Sequence, residues 1–108
     1  MLKIDIFYNN ISPDRALEVF VNEKIGGLGR LIKGSTVEAK VEIGKPSKHH
    51  RSGPVFYAEV NLKIGGALLR ATATNKDLRT AIIEVKNELQ TQVKKFKEKR
   101  TNTKLRSY

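Results

Sequence analysis

The sequence predicts an α+β domain in the order β-α-β-β-β-α, a four-stranded sheet with two helices packed on one face. Three observations lead there: four runs alternate apolar and polar residues, two runs repeat apolar residues every three or four positions, and a Gly-Gly pair joins the last two alternating runs. Clean alternation in all four strands means that one face of the sheet is covered and the other is wet.

The first strand is expected over residues 2 to 8, where Leu2, Ile4 and Ile6 alternate with Lys3, Asp5 and Phe7. Ser12 then offers an N-cap, Pro13 suits the first helical position and Asp14 complements the helix dipole. Leu17, Phe20, Val21, Ile25, Leu28, Leu31 and Ile32 form one apolar stripe to about residue 32. Gly26, Gly27 and Gly29 lower helix propensity by roughly 1 kcal/mol each relative to Ala, so a break is expected there, with Gly34 ending the element.

From Thr36 the period returns to two, with Val37, Ala39, Val41 and Ile43 inward and Glu38, Lys40 and Glu42 outward. The third run points Phe56, Ala58, Val60, Leu62 and Ile64 inward; the fourth does so with Ala67, Leu69, Ala71 and Ala73. Gly65-Gly66 between them predicts a two-residue antiparallel hairpin, because primed turns need positive φ. Leu78, Ala81, Ile82, Val85, Leu89, Val93 and Phe96 then predict a long helix from Asn75 or Lys76 to about residue 98. Its other side carries Arg79, Lys86, Gln90, Lys94 and Lys97 at the same spacing. The expected organisation is one domain over residues 1–98 and a flexible basic tail over 99–108, where no apolar period is found.

The composition supports a folded domain of one core: 108 residues are 39% hydrophobic, too apolar for a disordered polycation despite a net charge of +10. With no cysteine, disulfides, thiolate metal sites and cysteine nucleophiles are excluded. The start of the chain lacks the apolar stretch of a secretory signal, and no run is long enough to span a membrane, so a cytoplasmic protein is expected.

The positive charge is concentrated. Residues 1–43 sum to zero, residues 44–53 to +3, residues 54–85 to +1 and residues 86–108 to +6. Two separate acid-poor segments point to a polyanion-binding surface rather than a merely solvated face. The RNA-binding candidates are Lys24, Arg30, Lys45, Lys48, Arg51, Lys76, Arg79, Lys86, Lys94, Lys95 and Lys97.

Catalytic and metal motifs are missing. His49-His50 lacks the helical spacing and carboxylate partner of a zinc site, the glycines make no phosphate-binding fingerprint, and no serine sits in a nucleophile elbow. No catalytic residue, metal, cofactor or small-molecule substrate is expected. Phe7, Tyr8, Tyr57 and Tyr108 do not make the paired exposed aromatics of a base-stacking sheet, which leaves recognition of phosphate and shape in structured RNA. A general RNA-binding or RNA-chaperone module of the double-stranded-RNA-binding type satisfies the same residues, and a small hydrolase using the two histidines is a distant third reading.

Particular runs narrow the choice. Gly53-Pro54-Val55-Phe56-Tyr57-Ala58-Glu59-Val60-Asn61-Leu62, then Gly65-Gly66-Ala67-Leu68-Leu69-Arg70-Ala71, then Asp77-Leu78-Arg79-Thr80-Ala81-Ile82, resemble the ribosome hibernation-promoting factor and ribosome-associated inhibitor A family. So does the start, with Asn9-Asn10 followed by Ala16-Leu17, Phe20-Val21 and Lys24; the resemblance covers residues 2 to about 98 and rests on order, spacing and length. It implies the same β-α-β-β-β-α fold, and makes 1–98 a ribosome-binding domain in a short form that ends before the extra dimerisation domain of long members. It further implies binding to rRNA of the small subunit in the mRNA and tRNA channel near the decoding centre, with translation inhibited by occlusion in stress or stationary phase and no membrane partner. By position, Lys24 matches a basic residue of helix one, and Lys95 and Lys97 a basic pair late in helix two. Gly27 stands where the family often has Lys, Arg79 where it often has Tyr, and Glu88 and Thr91 where helix two is usually basic. Helical geometry offers Lys86, Lys94 and Arg79 as compensation on neighbouring turns.

Overall fold

Alternating side chains need a partner layer, and two helices supply it. The structure, a computed structural model, describes the backbone of residues 2–32, 36–46 and 55–106 and the side chains through Lys99. Its elements are β1 (Leu2–Asn9), α1 (Arg15–Gly26), a 3-10 turn (Gly27–Leu31), β2 (Val37–Gly44), β3 (Phe56–Ile64), β4 (Ala67–Asn75) and α2 (Leu78–Arg106). The strands lie in the order β1-β2-β3-β4. β1 and β2 are parallel, joined over the sheet by α1, and the other two pairings are antiparallel.

The expected inward residues form the core. Val37, Ala39, Val41, Ile43, Ala58, Val60, Leu62 and Ile64 are buried beneath Leu17, Val21, Ile25 and Leu28 of the first helical segment and Ala81, Ile82, Val85, Leu89 and Val93 of α2. Burying each of the larger side chains contributes about 1.5–3 kcal/mol, and β2 and β3 carry most because they are central. The outer strands are only half-covered on that face, as at Leu2, Ile4, Ile6 and Leu69. No buried polar side-chain atom among the described residues lacks a partner.

Three boundaries differ from expectation. The cap of α1 is Asp14, whose carboxylate accepts the N–H of Ala16 at 3.0 Å; Ser12 and Pro13 lie ahead of the helix, because a residue before proline is held extended. α2 begins at Leu78, not at Asn75 or Lys76, because Asn75 still pairs with Phe56 in the sheet. α2 also runs past residue 98 to Arg106. A helix of 29 residues is about 43 Å long and strands of 8 or 9 residues are about 30 Å, so the last turns have no sheet to pack on. They carry no apolar period for that reason, while Lys, Glu and Arg, with no Gly or Pro, extend a helix that is already nucleated.

The glycine break in the first helical segment is a change from α to 3-10 geometry at Gly27; Gly34 lies outside the described residues. The β3-β4 hairpin turns on Gly65, whose φ of 57° is the positive value that a primed turn requires. The ends of β1 and β2 meet in a tighter corner. A Cβ on Gly44 would lie 1.8 Å from the carbonyl oxygen of Asn9, so only glycine fits. Asn10 follows at φ 58° and donates from its side chain to the Lys45 carbonyl at 3.0 Å. This corner fixes where the basic 44–53 segment leaves the sheet.

Candidate nucleic-acid interface

Phe20 is the point at which the two helices pool their charge. It lies half-buried on α1, with the Lys24 ammonium 5.6 Å and the Arg79 guanidinium 5.5 Å from its ring centre. The first contact follows from helical spacing, since Lys24 is one turn beyond Phe20. The second comes from α2. Both cations are steadied by the ring quadrupole, yet they keep N–H groups for an external anion. Phe20 was expected only as a core residue; its spacing from Lys24 was readable in the sequence, its meeting with Arg79 was not.

Along α2, rotation of 100° per residue keeps Arg79, Lys86, Gln90, Lys94 and Lys97 on one flank. Arg79, Lys94 and Lys97 are exposed and Lys86 is half-buried. Arg30 is exposed on the 3-10 turn, which packs against α2. Lys95 falls on the other flank with Glu84, Glu88 and Gln92, toward the free edge of β4: Gln92 donates to the Arg70 carbonyl at 2.9 Å and Asn75 donates to Glu84 at 2.9 Å. Glu88 accepts from Gln92, and Thr91 donates to the Asn87 carbonyl, so both are engaged within the fold.

A second group sits at one end of the sheet. Lys45 holds its ammonium 5.6 Å above the Phe56 ring, and Phe56 pairs with Asn75, which leads into exposed Lys76. Lys48, Arg51, His49 and His50 lie outside the described residues. The start of α2 is already occupied by a carboxylate. The Asp77 side chain accepts from the Thr80 hydroxyl at 2.7 Å and from the Arg79 and Thr80 N–H groups, and these bonds, the hydroxyl first, hold its pKa below the ordinary value. That helix end is a capped terminus, with its Arg79 and Thr80 N–H groups taken by the Asp77 carboxylate.

The open face of the sheet is different. Its cross-strand rows read Lys3-Glu38-Lys63-Leu68, Asp5-Lys40-Asn61-Arg70 and Phe7-Glu42-Glu59-Thr72, so acids and bases cancel. Glu42 and Glu59 are directly opposed, and each is offset: Arg70 pairs with Glu59 at 2.7 Å and the Tyr57 hydroxyl donates to Glu42. Tyr57 also accepts from Asn9 at 2.7 Å; burial first, then Glu42, pushes its pKa up. No aromatic pair suited to base stacking stands on this face among the described residues. Nor do those residues bring together three or more His, Asp or Glu that could hold a metal ion. No helix among them is long and apolar enough to cross a membrane.

Comparison with solved structures finds the same architecture. The N-terminal domain of Protein Y from Thermus thermophilus superposes with a TM-score of 0.73 at 27% sequence identity, covering 84% of this chain and 93% of that one. A structure described as a ribosomal subunit interface protein from Coxiella burnetii has a TM-score of 0.66 at 20% identity, covering 91% of this chain and 99% of that one. No curated protein matches the chain by sequence. Residues 4–101 match the family described as sigma 54 modulation protein / S30EA ribosomal protein. That match takes in most of β1, the other three strands and most of α2, and the order of elements is the one the core requires: this chain belongs to the sigma 54 modulation protein / S30EA ribosomal protein family.

Proposed function

We propose that this protein is a ribosome hibernation factor that binds rRNA of the small ribosomal subunit in the mRNA and tRNA channel near the decoding centre. The observation that carries the reading is the joint basic surface of the two helices, Lys24 and Arg79 on Phe20 and the Lys86, Lys94 and Lys97 flank beside them, in a chain of this family. Arg30 extends that surface, and Lys45 and Lys76 add a separate contact at the end of the sheet. Mechanism then needs no covalent step. Side-chain cations replace counterions on phosphates, the rigid sheet keeps the two helices at fixed spacing, and the bound domain fills space that mRNA and tRNA need. Such a protein acts in the cytoplasm, silencing and preserving ribosomes in stress or stationary phase.

Co-sedimentation with purified small subunits tests it. Binding is expected to fall steeply with salt, with a slope of roughly −0.7 per phosphate contact for about six contacts on single-stranded RNA. Bound protein is expected to block initiation on a model mRNA. If the protein stays in the supernatant at low salt, or binds without blocking initiation, the proposal fails. Equal affinity for any duplex RNA and for small subunits would instead support the general RNA-binding module.

A further inference from the structure

The two outer strands treat their free edges differently. At β4, the Arg70 carbonyl faces outward, because Arg70 and Asn61 are a non-hydrogen-bonded pair when counted from the Gly65-Gly66 turn, and Gln92 from α2 reaches around to bond it at 2.9 Å. At β1, no described residue does the same. Lys45 donates to the Asn9 carbonyl in the parallel pairing with β2, so Asn9, and with it Phe7, Asp5 and Lys3, turn their backbone groups toward β2. Leu2, Ile4, Ile6 and Tyr8 therefore point theirs outward, and no described group hydrogen-bonds to them. β1 also lacks the usual protections of an edge: it contains no proline, its register with β2 is unbroken from Leu2 to Asn9, and its Lys3 is accompanied by Asp5 on the same face.

We propose that the β1 edge pairs antiparallel with β1 of a second copy of this chain, in the register that sets Ile4 against Ile4 of the second copy and Lys3 against Asp5 of the second copy. Two independent features select that register. Hydrogen bonding demands that outward-facing residues oppose one another, and this alignment opposes Ile4 with Ile4 and Leu2 with Ile6. Charge demands that Lys3 meet Asp5, which it does twice across the two-fold axis, in the non-hydrogen-bonded pairs where side chains approach most closely. Shifting one strand by two residues keeps the hydrogen bonds but sets Asp5 against Asp5. The contact joins two sheets into one of eight strands with both helix layers on the same side, and it brings Phe7, 53% exposed in the single chain, beside the junction.

The overall charge of +10 opposes self-association, but its excess lies elsewhere, since residues 1–43 sum to zero. Lys24 and Arg79 meet over Phe20 in the helix layer, so they are not part of the β1 backbone edge that pairs. This inference is independent of the proposed ribosome binding.

Sedimentation equilibrium of the full chain from about 10 µM to 1 mM tests it, a range suited to a small interface. A monomer–dimer equilibrium is expected. Asp5→Lys and Lys3→Asp are each expected to weaken dimerisation at least tenfold, because each opposes like charges, and circular dichroism checks that both variants fold. Mixing the two single variants is expected to restore association as a heterodimer, since every opposed pair is again of opposite sign. A chain that is monomeric throughout, a dimer indifferent to Asp5→Lys, or variants that do not associate on mixing would each overturn the proposal.

Discussion

The helix layer and the open face of the sheet both carry many charges, and they use them in opposite ways. On the sheet, Lys3, Lys40, Lys63 and Arg70 stand among Asp5, Glu38, Glu42 and Glu59 in fixed cross-strand rows, so the charges of the face as a whole sum to zero. On the helices, Lys24 and Arg79 are backed by a neutral ring, and Lys86 and Lys94 lie on the flank of α2 opposite Glu84 and Glu88. A cation beside a carboxylate contributes little to a distant anion, whereas one resting on an aromatic face keeps its charge available. The difference shows that the availability of positive charge on a surface depends on where the acids stand as well as on how many bases there are.

The largest expected effect breaks the platform beneath both regions. Gly44→Ala drives a Cβ into the Asn9 carbonyl, and a loss of roughly 3 kcal/mol or more in urea unfolding is expected. Gly27→Ala is the contrast: its Cβ would meet nothing within 4 Å and its backbone is helical, so stability is expected to hold or rise by about 0.5 kcal/mol.

Charge reversal then separates the two faces. Lys24→Glu with Arg79→Glu is expected to weaken small-subunit binding by more than about tenfold and to flatten its salt dependence, since each lost phosphate contact lowers the slope by roughly 0.7. Lys40→Glu with Lys63→Glu on the sheet is expected to change binding by no more than about twofold. Equal losses from both pairs, measured by co-sedimentation, would remove the distinction between the faces.

Smaller effects sharpen it. Phe20→Leu keeps apolar volume and removes the ring, and an affinity loss of about two- to fivefold is expected from cation–π energies of about 0.5–1 kcal/mol. On the sheet, Tyr57 has a pKa raised above 10.0 by burial and then by its bond to Glu42. A raised phenol favours the folded state at neutral pH; its contribution is fully present below pH 10.0 and is lost as the pH rises through the folded value. Glu42→Gln is expected to shrink that alkaline loss without abolishing it, because burial persists, and phenolate absorbance during alkaline titration measures the change. RNA binding at neutral pH is expected to be unaffected by the same substitution.

The sequence alone determined every element and its inward face. Val37 to Ile43 and Phe56 to Ile64 alternate because a one-sided sheet must, and Leu17 to Ile32 and Leu78 to Phe96 repeat at helical spacing because each helix covers that sheet with one stripe. Where no core was in reach the pattern vanished, so the end of α2 past residue 98 read as tail, although its propensities were helical. The concentration of charge was equally legible, being a sum over residues. Its arrangement was not. That Lys24 and Arg79 share one ring and that Gly44 is pressed against Asn9 are facts of the packing of α1 beside α2 and of the parallel β1-β2 pair. Periodicity fixes which side of an element is apolar, because burial acts on each element separately; which charged groups meet depends on how elements far apart in the chain are packed together, and that only the tertiary structure decides.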